Sequence, residues 1–201
     1  MEGLSSKQCF ASLLILLSIS SNINSSLAAT PTPNKQSIEF IRTSCSSTTY
    51  PKVCFSSLSI HADFIQTSPQ LLASTALNVT RSSAQSTSTM MVNLSKGQGM
   101  SPKVVAAMRD CVEELRDSVD ELNKSIGEMN NFNGSDFQFM INDIQTWVSA
   151  ALTDDNTCTD GFQGNAMNGN VKTLVRGGIV NVAHLTSNAL ALINQYASLH
   201  G

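Results

Sequence analysis

The sequence predicts an all-α fold, an antiparallel four-helix bundle with an N-terminal helical hairpin extension. Three observations predict it. The chain of 201 residues holds only 5 prolines and 5% aromatic residues, is rich in alanine, leucine, serine and asparagine, and has no run of alternating β-branched and polar residues. Four long stretches repeat apolar residues at steps of three and four, the spacing of one helix face. Short polar turns separate those stretches, which lays neighbouring helices antiparallel.

Residues 1–29 read as a secretory signal peptide: Lys7, a short apolar run from Phe10 to Ile19, then Ser26-Leu27-Ala28-Ala29 as a small-residue cleavage site. The run is too short to span a bilayer, which takes about 20 residues. Cleavage takes Cys9 away and leaves Cys45, Cys54, Cys111 and Cys158 in a chain bound for an oxidising compartment. An even count there favours disulfides over thiols or metal, although four cysteines allow three connectivities. Thr30-Pro31-Thr32-Pro33 forms a flexible arm.

Residues 35–64 form the hairpin, with Ile38, Ile41, Phe55, Leu58 and Phe64 on its apolar side. Cys45 and Cys54 bracket Tyr50-Pro51, where proline marks a turn, so a local bridge closing the hairpin is the simplest reading. The bundle occupies residues 65–201. Its first helix, 69–95, opens on Ser68-Pro69 and carries Leu72, Ala76, Val79, Met90, Met91 and Leu94; its stretch from Arg81 to Thr89 is mostly serine and threonine and reads equally as loop.

The second, 102–129, opens on Ser101-Pro102 and aligns Val104, Met108, Cys111, Leu115, Val119, Leu122 and Ile126. Glu113, Asp117 and Asp120 lie about 180° to 240° around the helix from Cys111, a carboxylate row facing away from the core. The third, capped by Ser135 or Asp136, carries Met140, Ile141, Ile144, Trp147, Val148, Ala151 and Leu152 and is broken by Gly161, Gly164 and Gly169. Counted from Cys158, Trp147, Ala151 and Phe162 fall within roughly a 60° arc, so the cysteine points inward and Thr157 and Asp160 lie off the stripe. The last helix, 170–197, sets Val171, Leu174, Val175, Val182, Leu185, Ala189, Leu192 and Tyr196 on one side, and Gly177-Gly178 permits a neighbour's close approach. A bridge between Cys111 and Cys158 would tie the second and third bundle helices, at about 4 kcal/mol on a chain-entropy model.

A net charge of −3 argues against nucleic acid as a partner. His61, His184 and His200 are scattered, with no paired nucleophile and base. Asp154, Asp155 and Asp160 sit close on one helix without convergent ligands from elsewhere, so neither metal nor cofactor is expected. Trp147 reads as core rather than as a sugar platform. The sequons at Asn78, Asn93, Asn123 and Asn133 are glycosylation candidates, with Asn123 expected to be empty or to point its glycan away from Asp120.

The Cys45/Cys54 hairpin, VEELRDSVDEL after Cys111, TWVSAALTDDNTCTDGF around Cys158 and LTSNALALI at 185–193 together resemble the plant invertase and pectin methylesterase inhibitor domains over the whole mature chain of about 170 residues. The resemblance implies one inhibitor domain over 30–201, bridges Cys45 to Cys54 and Cys111 to Cys158, no catalysis, and a monomer that occludes the substrate cleft of a cell-wall enzyme in a one-to-one complex. Family contact positions fall two, six and nine residues after the third mature cysteine, and just before and two after the fourth; here they are Glu113, Asp117, Asp120, Thr157 and Asp160. Invertase inhibitors resemble one another in a Pro-Lys-Phe segment about fifteen residues before the fourth cysteine, where this chain reads Ile141-Asn142-Asp143-Ile144. Pectin methylesterase is therefore the expected target and acid invertase the alternative, with a non-inhibitory extracellular binding module behind both. A free-standing inhibitor of the apoplast is expected rather than an enzyme's pro-region, since no catalytic domain follows Gly201.

Overall fold

The computed structural model describes residues 35–97, 99–132, 134, 136–162 and 169–200. The signal peptide, the arm at 30–33, the sequon at Asn133, Ser135 and Gly164 lie outside them. The described residues form helices and no strand: α1 Lys35–Ser46, α2 Pro51–Leu58, a 3-10 turn Ser59–His61, the single turn α3 Ala62–Ile65, then α4 Pro69–Ser95, α5 Pro102–Asn131, α6 Phe137–Gly161 and α7 Asn170–Ser198.

Capping side chains start the first three long helices. Ser68 Oγ accepts from Leu71 N–H at 3.2 Å and Ser101 Oγ from Val104 N–H at 3.4 Å, each ahead of a first-turn proline, and Asp136 Oδ1 accepts from Phe139 N–H at 3.1 Å. α4 runs unbroken through the serine- and threonine-rich stretch, because the hydroxyls bond back to their own helix: Ser82 to Asn78 O, Ser86 to Ser82 O and Thr89 to Gln85 O. Ala84, Thr87 and Met91 turn inward and dock that half on the core.

Each long helix packs on its chain neighbours, and α7 closes the ring against α4; α2 lies on α4 and α7, and α1 reaches α7. Cys45 is bonded to Cys54 between α1 and α2, and Cys111 to Cys158 between α5 and α6. Tyr50, at the tip of the hairpin, is held by Asn188 of α7: Asn188 Nδ2 donates to Tyr50 O and Tyr50 N–H donates to Asn188 Oδ1, both at 3.0 Å. Gln195 adds bonds to Ser44 O and Ser47 Oγ.

Three apolar side chains expected inside sit differently. Phe64 is 61% exposed and Ile65 is buried instead. The 3-10 turn advances about 120° per residue rather than 100°, which rotates the following turn. Ser68 N–H then bonds Ile65 O across a turn that holds Gln66 at φ 52°, a left-handed conformation that favours glycine. Leu174 is 54% exposed, one position off the side formed by Val175, Ile179 and Val182. Trp147 is only half-buried, because the inner face of α6 is centred about 50° to one side of Cys158 and leaves the indole on its margin.

The core divides into two apolar clusters. One gathers Ile41, Leu58 and the Cys45–Cys54 bridge with Leu77, Leu122, Ile144, Ala151 and Ile193; the other gathers Met91, Met108, Leu115, Phe162, Ile179 and Val182 around the Cys111–Cys158 bridge. On every long helix the boundary between them carries a wholly buried polar residue: Thr80, Ser118, Asp155 and Thr186.

Candidate protein-contact face

Glu113, Asp117, Asp120, Thr157 and Asp160 are all exposed. The bridge that joins α5 to α6 brings the Cα atoms of Cys111 and Cys158 to 4.5 Å. Glu113 follows Cys111 by two positions, while Thr157 and Asp160 flank Cys158, so the two helices present these residues from a covalently fastened base.

The row on α5 leans towards α4. Glu113, Asp117 and Asp120 line a groove of about 700 Å³ with Arg109 and Arg116 of α5 and Val92 and Ser95 of α4. The seam between α5 and α6 is lined by other carboxylates, Glu114 and Glu121 from α5 and Asp154 from α6. Burial pushes the Asp154 carboxyl up to about 6, and the charges of Glu114, Asp117 and Glu121 add to the rise. Lys124 Nζ pairs with Glu121 at 2.9 Å, and that hydrogen bond raises the lysine above its ordinary value despite desolvation. Thr157 Oγ1 donates to Thr153 O at 2.9 Å, leaving its lone pairs to face outward. The face therefore offers hydrogen-bond acceptors and negative charge, and it suits a partner rich in donors.

Asp155 stands apart from the cation-site reading of its neighbours, since its side chain is inside the bundle. Among the described residues no group of three or more His, Cys, Asp or Glu side chains is arranged to hold a metal ion, and no helix is long and apolar enough to cross a membrane. The histidines remain apart: His184 stacks on Tyr50 at 3.6 Å with its pKa lowered by burial, and His200 packs on Phe137 and Tyr196.

The described sequons differ in access. Asn93 is exposed, Asn78 is half-buried and donates from Nδ2 to Ser74 O, and exposed Asn123 accepts from Arg81 through Oδ1 at 3.3 Å. Sequence reasoning took Asp155 only as one of a cluster of carboxylates and did not single out Asn188; Asp155 is wholly buried and Asn188 nearly so. The position of Asp155 was available to it: three residues before Cys158 and four after Ala151 is on the inner face.

A family model described as plant invertase/pectin methylesterase inhibitor matches residues 39–192. The "21 kDa protein" of Daucus carota is 46% identical over 194 residues, covering 95% of this chain and 94% of that one. Pectinesterase inhibitor 11 of Arabidopsis thaliana is 45% identical over 197 residues, covering 95% and 98%. The crystal structure of a mutant form of a pectin methylesterase inhibitor from Arabidopsis superposes with a TM-score of 0.62 at 23% identity, over 77% of this chain and 95% of that one, a likeness of fold. With the model matched across most of the sequence and relatives of nearly equal length at almost half identity, the chain belongs to the plant invertase/pectin methylesterase inhibitor family.

Proposed function

We propose that this protein is a secreted inhibitor of pectin methylesterase, acting in the cell wall as one domain over residues 30–201 that covers the enzyme's substrate cleft one-to-one. The contact is made through Glu113, Asp117, Asp120, Thr157 and Asp160. These carboxylates and the hydroxyl engage polar groups in the cleft that otherwise meet polygalacturonate, a polymer that itself presents carboxylates and hydroxyls. The observation that carries the reading is the exposure of all five side chains on two helices that a buried disulfide fastens together. A fastened face loses little freedom on docking, which favours a blocking complex over a loose encounter.

The family description covers two targets, and several supports favour pectin methylesterase. Relatives named pectinesterase inhibitors match nearly the whole chain, and the Pro-Lys-Phe segment of invertase inhibitors is absent before Cys158. Titration of the purified, oxidised protein against pectin methylesterase and acid invertase tests the choice. The first activity should fall to an endpoint of one inhibitor per enzyme; a fall in invertase activity alone overturns the assignment. An Asp117→Lys/Asp160→Lys double variant should keep its helical circular dichroism and lose inhibition by at least about 100-fold, since two desolvated charge contacts would each turn repulsive. Undiminished inhibition by that variant moves the contact elsewhere on the surface.

A further inference from the structure

The polar layer between the two apolar clusters contains one carboxyl, and its surroundings pose a problem of proton placement. Thr80 Oγ1 donates to Ala76 O at 2.8 Å, one turn back on its own helix. Thr186 Oγ1 lies 3.0 Å from Val182 O in the same arrangement, and it also lies 2.5 Å from Asp155 Oδ2. A hydroxyl has one proton to give. If Thr186 gives it to Val182, the close approach to Asp155 needs a second proton, which only the carboxyl can carry. If Thr186 gives it to Asp155, a wholly buried negative charge is left with one hydroxyl donor. Ser118 Oγ comes near enough to the carboxyl to pull its pKa down, but neither it nor Asp155 Oδ1, both buried, closes a well-aligned hydrogen bond, and among the described residues no lysine or arginine pairs with the carboxyl. A lone buried carboxylate so poorly solvated is costly.

We propose that Asp155 is a positioning residue carried as the neutral acid: its Oδ2–H donates to Thr186 Oγ1 and ties α6 to α7 at mid-bundle, and loss of that proton loosens the seating of α6 on α7 and with it the aim of Thr157 and Asp160. The functional half of this inference rests on the inhibitor reading above. Burial pushes the carboxyl up to about 6; the hydroxyls of Thr186 and Ser118 pull it down, and the charge of Asp154 adds to the rise. From α5, Ser118 faces it, and the neighbouring Glu114 and Glu121 bear on Asp154 rather than on Asp155. From α7, Thr186 faces it, while His184 lines the groove beside Asn156 and Thr159 on the other flank of α6. The only charged residue of α4, Arg81, bonds Asn123.

The folded protein holds the Asp155 pKa above the ordinary carboxyl value of 3.8. Stability from the bound proton is complete below about 3.8 and is lost as the pH rises through about 6. Asp155→Asn keeps the shape and a donor but cannot ionise, so comparison of the full oxidised proteins isolates the proton. Between pH 5 and pH 7.5 the Tm of the wild type should fall by roughly 3–6 °C more than that of Asp155→Asn; equal falls overturn the neutral acid. With pectin methylesterase, each inhibition being referred to uninhibited enzyme at the same pH, the two proteins should be matched at pH 5 and the variant several-fold tighter at pH 7.5. A ratio that does not change with pH overturns the positioning role. Absence of inhibition by either protein at both pH values overturns the inhibitor reading and the positioning role with it, while the unfolding comparison still decides the proton. If Asp155→Asn does not fold, a carbon-13 titration of the wild-type carboxyl decides it, a midpoint near about 6 supporting the acid and one near about 4 overturning it.

Discussion

Asn188 turns both ends of its amide to the backbone of Tyr50, the carboxamide supplying a donor for the carbonyl and an acceptor for the N–H. Asn188→Ala leaves the Tyr50 N–H unpaired at a part-buried site and its carbonyl with only the bond from Cys54 N–H, and should cost about 1–3 kcal/mol, read as a lower urea midpoint with an unchanged slope; a change within about 0.5 kcal/mol would mean that water replaces the amide. Asn188 is not conspicuous in the sequence, because a polar residue one position inside the apolar stripe looks like one just outside it. Only contact with a neighbouring helix settles the difference, and that contact is not local. The outward direction of Glu113, Asp117 and Asp120 needed no such knowledge, since Cys111 marks the inner face from which they are counted.

At the scale of elements, α5 and α7 followed directly from apolar spacing, whereas α4 was ambiguous through Arg81 to Thr89. Serine and threonine have weak helix propensity and can satisfy themselves in turns; here the burial of Ala84, Thr87 and Met91 decides for helix. The glycine pair of α7 separates into two unlike positions. A Cβ at Gly178 would come within 3.1 Å of Thr87 Cγ2 and 3.2 Å of Met90 Cε, while one at Gly177 would meet nothing within 4 Å. Gly177→Ala should therefore stabilise by about 0.5–1 kcal/mol through helix propensity alone. Gly178→Val should destabilise by about 1–3 kcal/mol through overpacking against α4. Thermal unfolding of the pair checks both signs, and a shared sign would show that the α4–α7 approach is not tight.

Across the whole molecule, each apolar cluster contains one disulfide, and the loops they close differ fivefold, with sequence separations of 9 and 47. On the chain-entropy model the shorter is worth about 2.7 kcal/mol and the longer about 4 kcal/mol. Replacing Cys111 and Cys158 by alanine should thus cost more in urea unfolding than replacing Cys45 and Cys54, whose hairpin keeps the Asn188 and Gln195 contacts to α7. The reverse order would place the weight of the fold on the hairpin. The band of Thr80, Ser118, Asp155 and Thr186 has a separate consequence for how four smooth, leucine-like surfaces find one alignment. Sliding any helix lengthwise by one turn, about 5.4 Å, would push its hydroxyl or carboxyl into hydrocarbon and bring hydrocarbon against the hydroxyls of the others. Grease alone would tolerate such a slip, so the band acts as a notch that fixes the helices end to end.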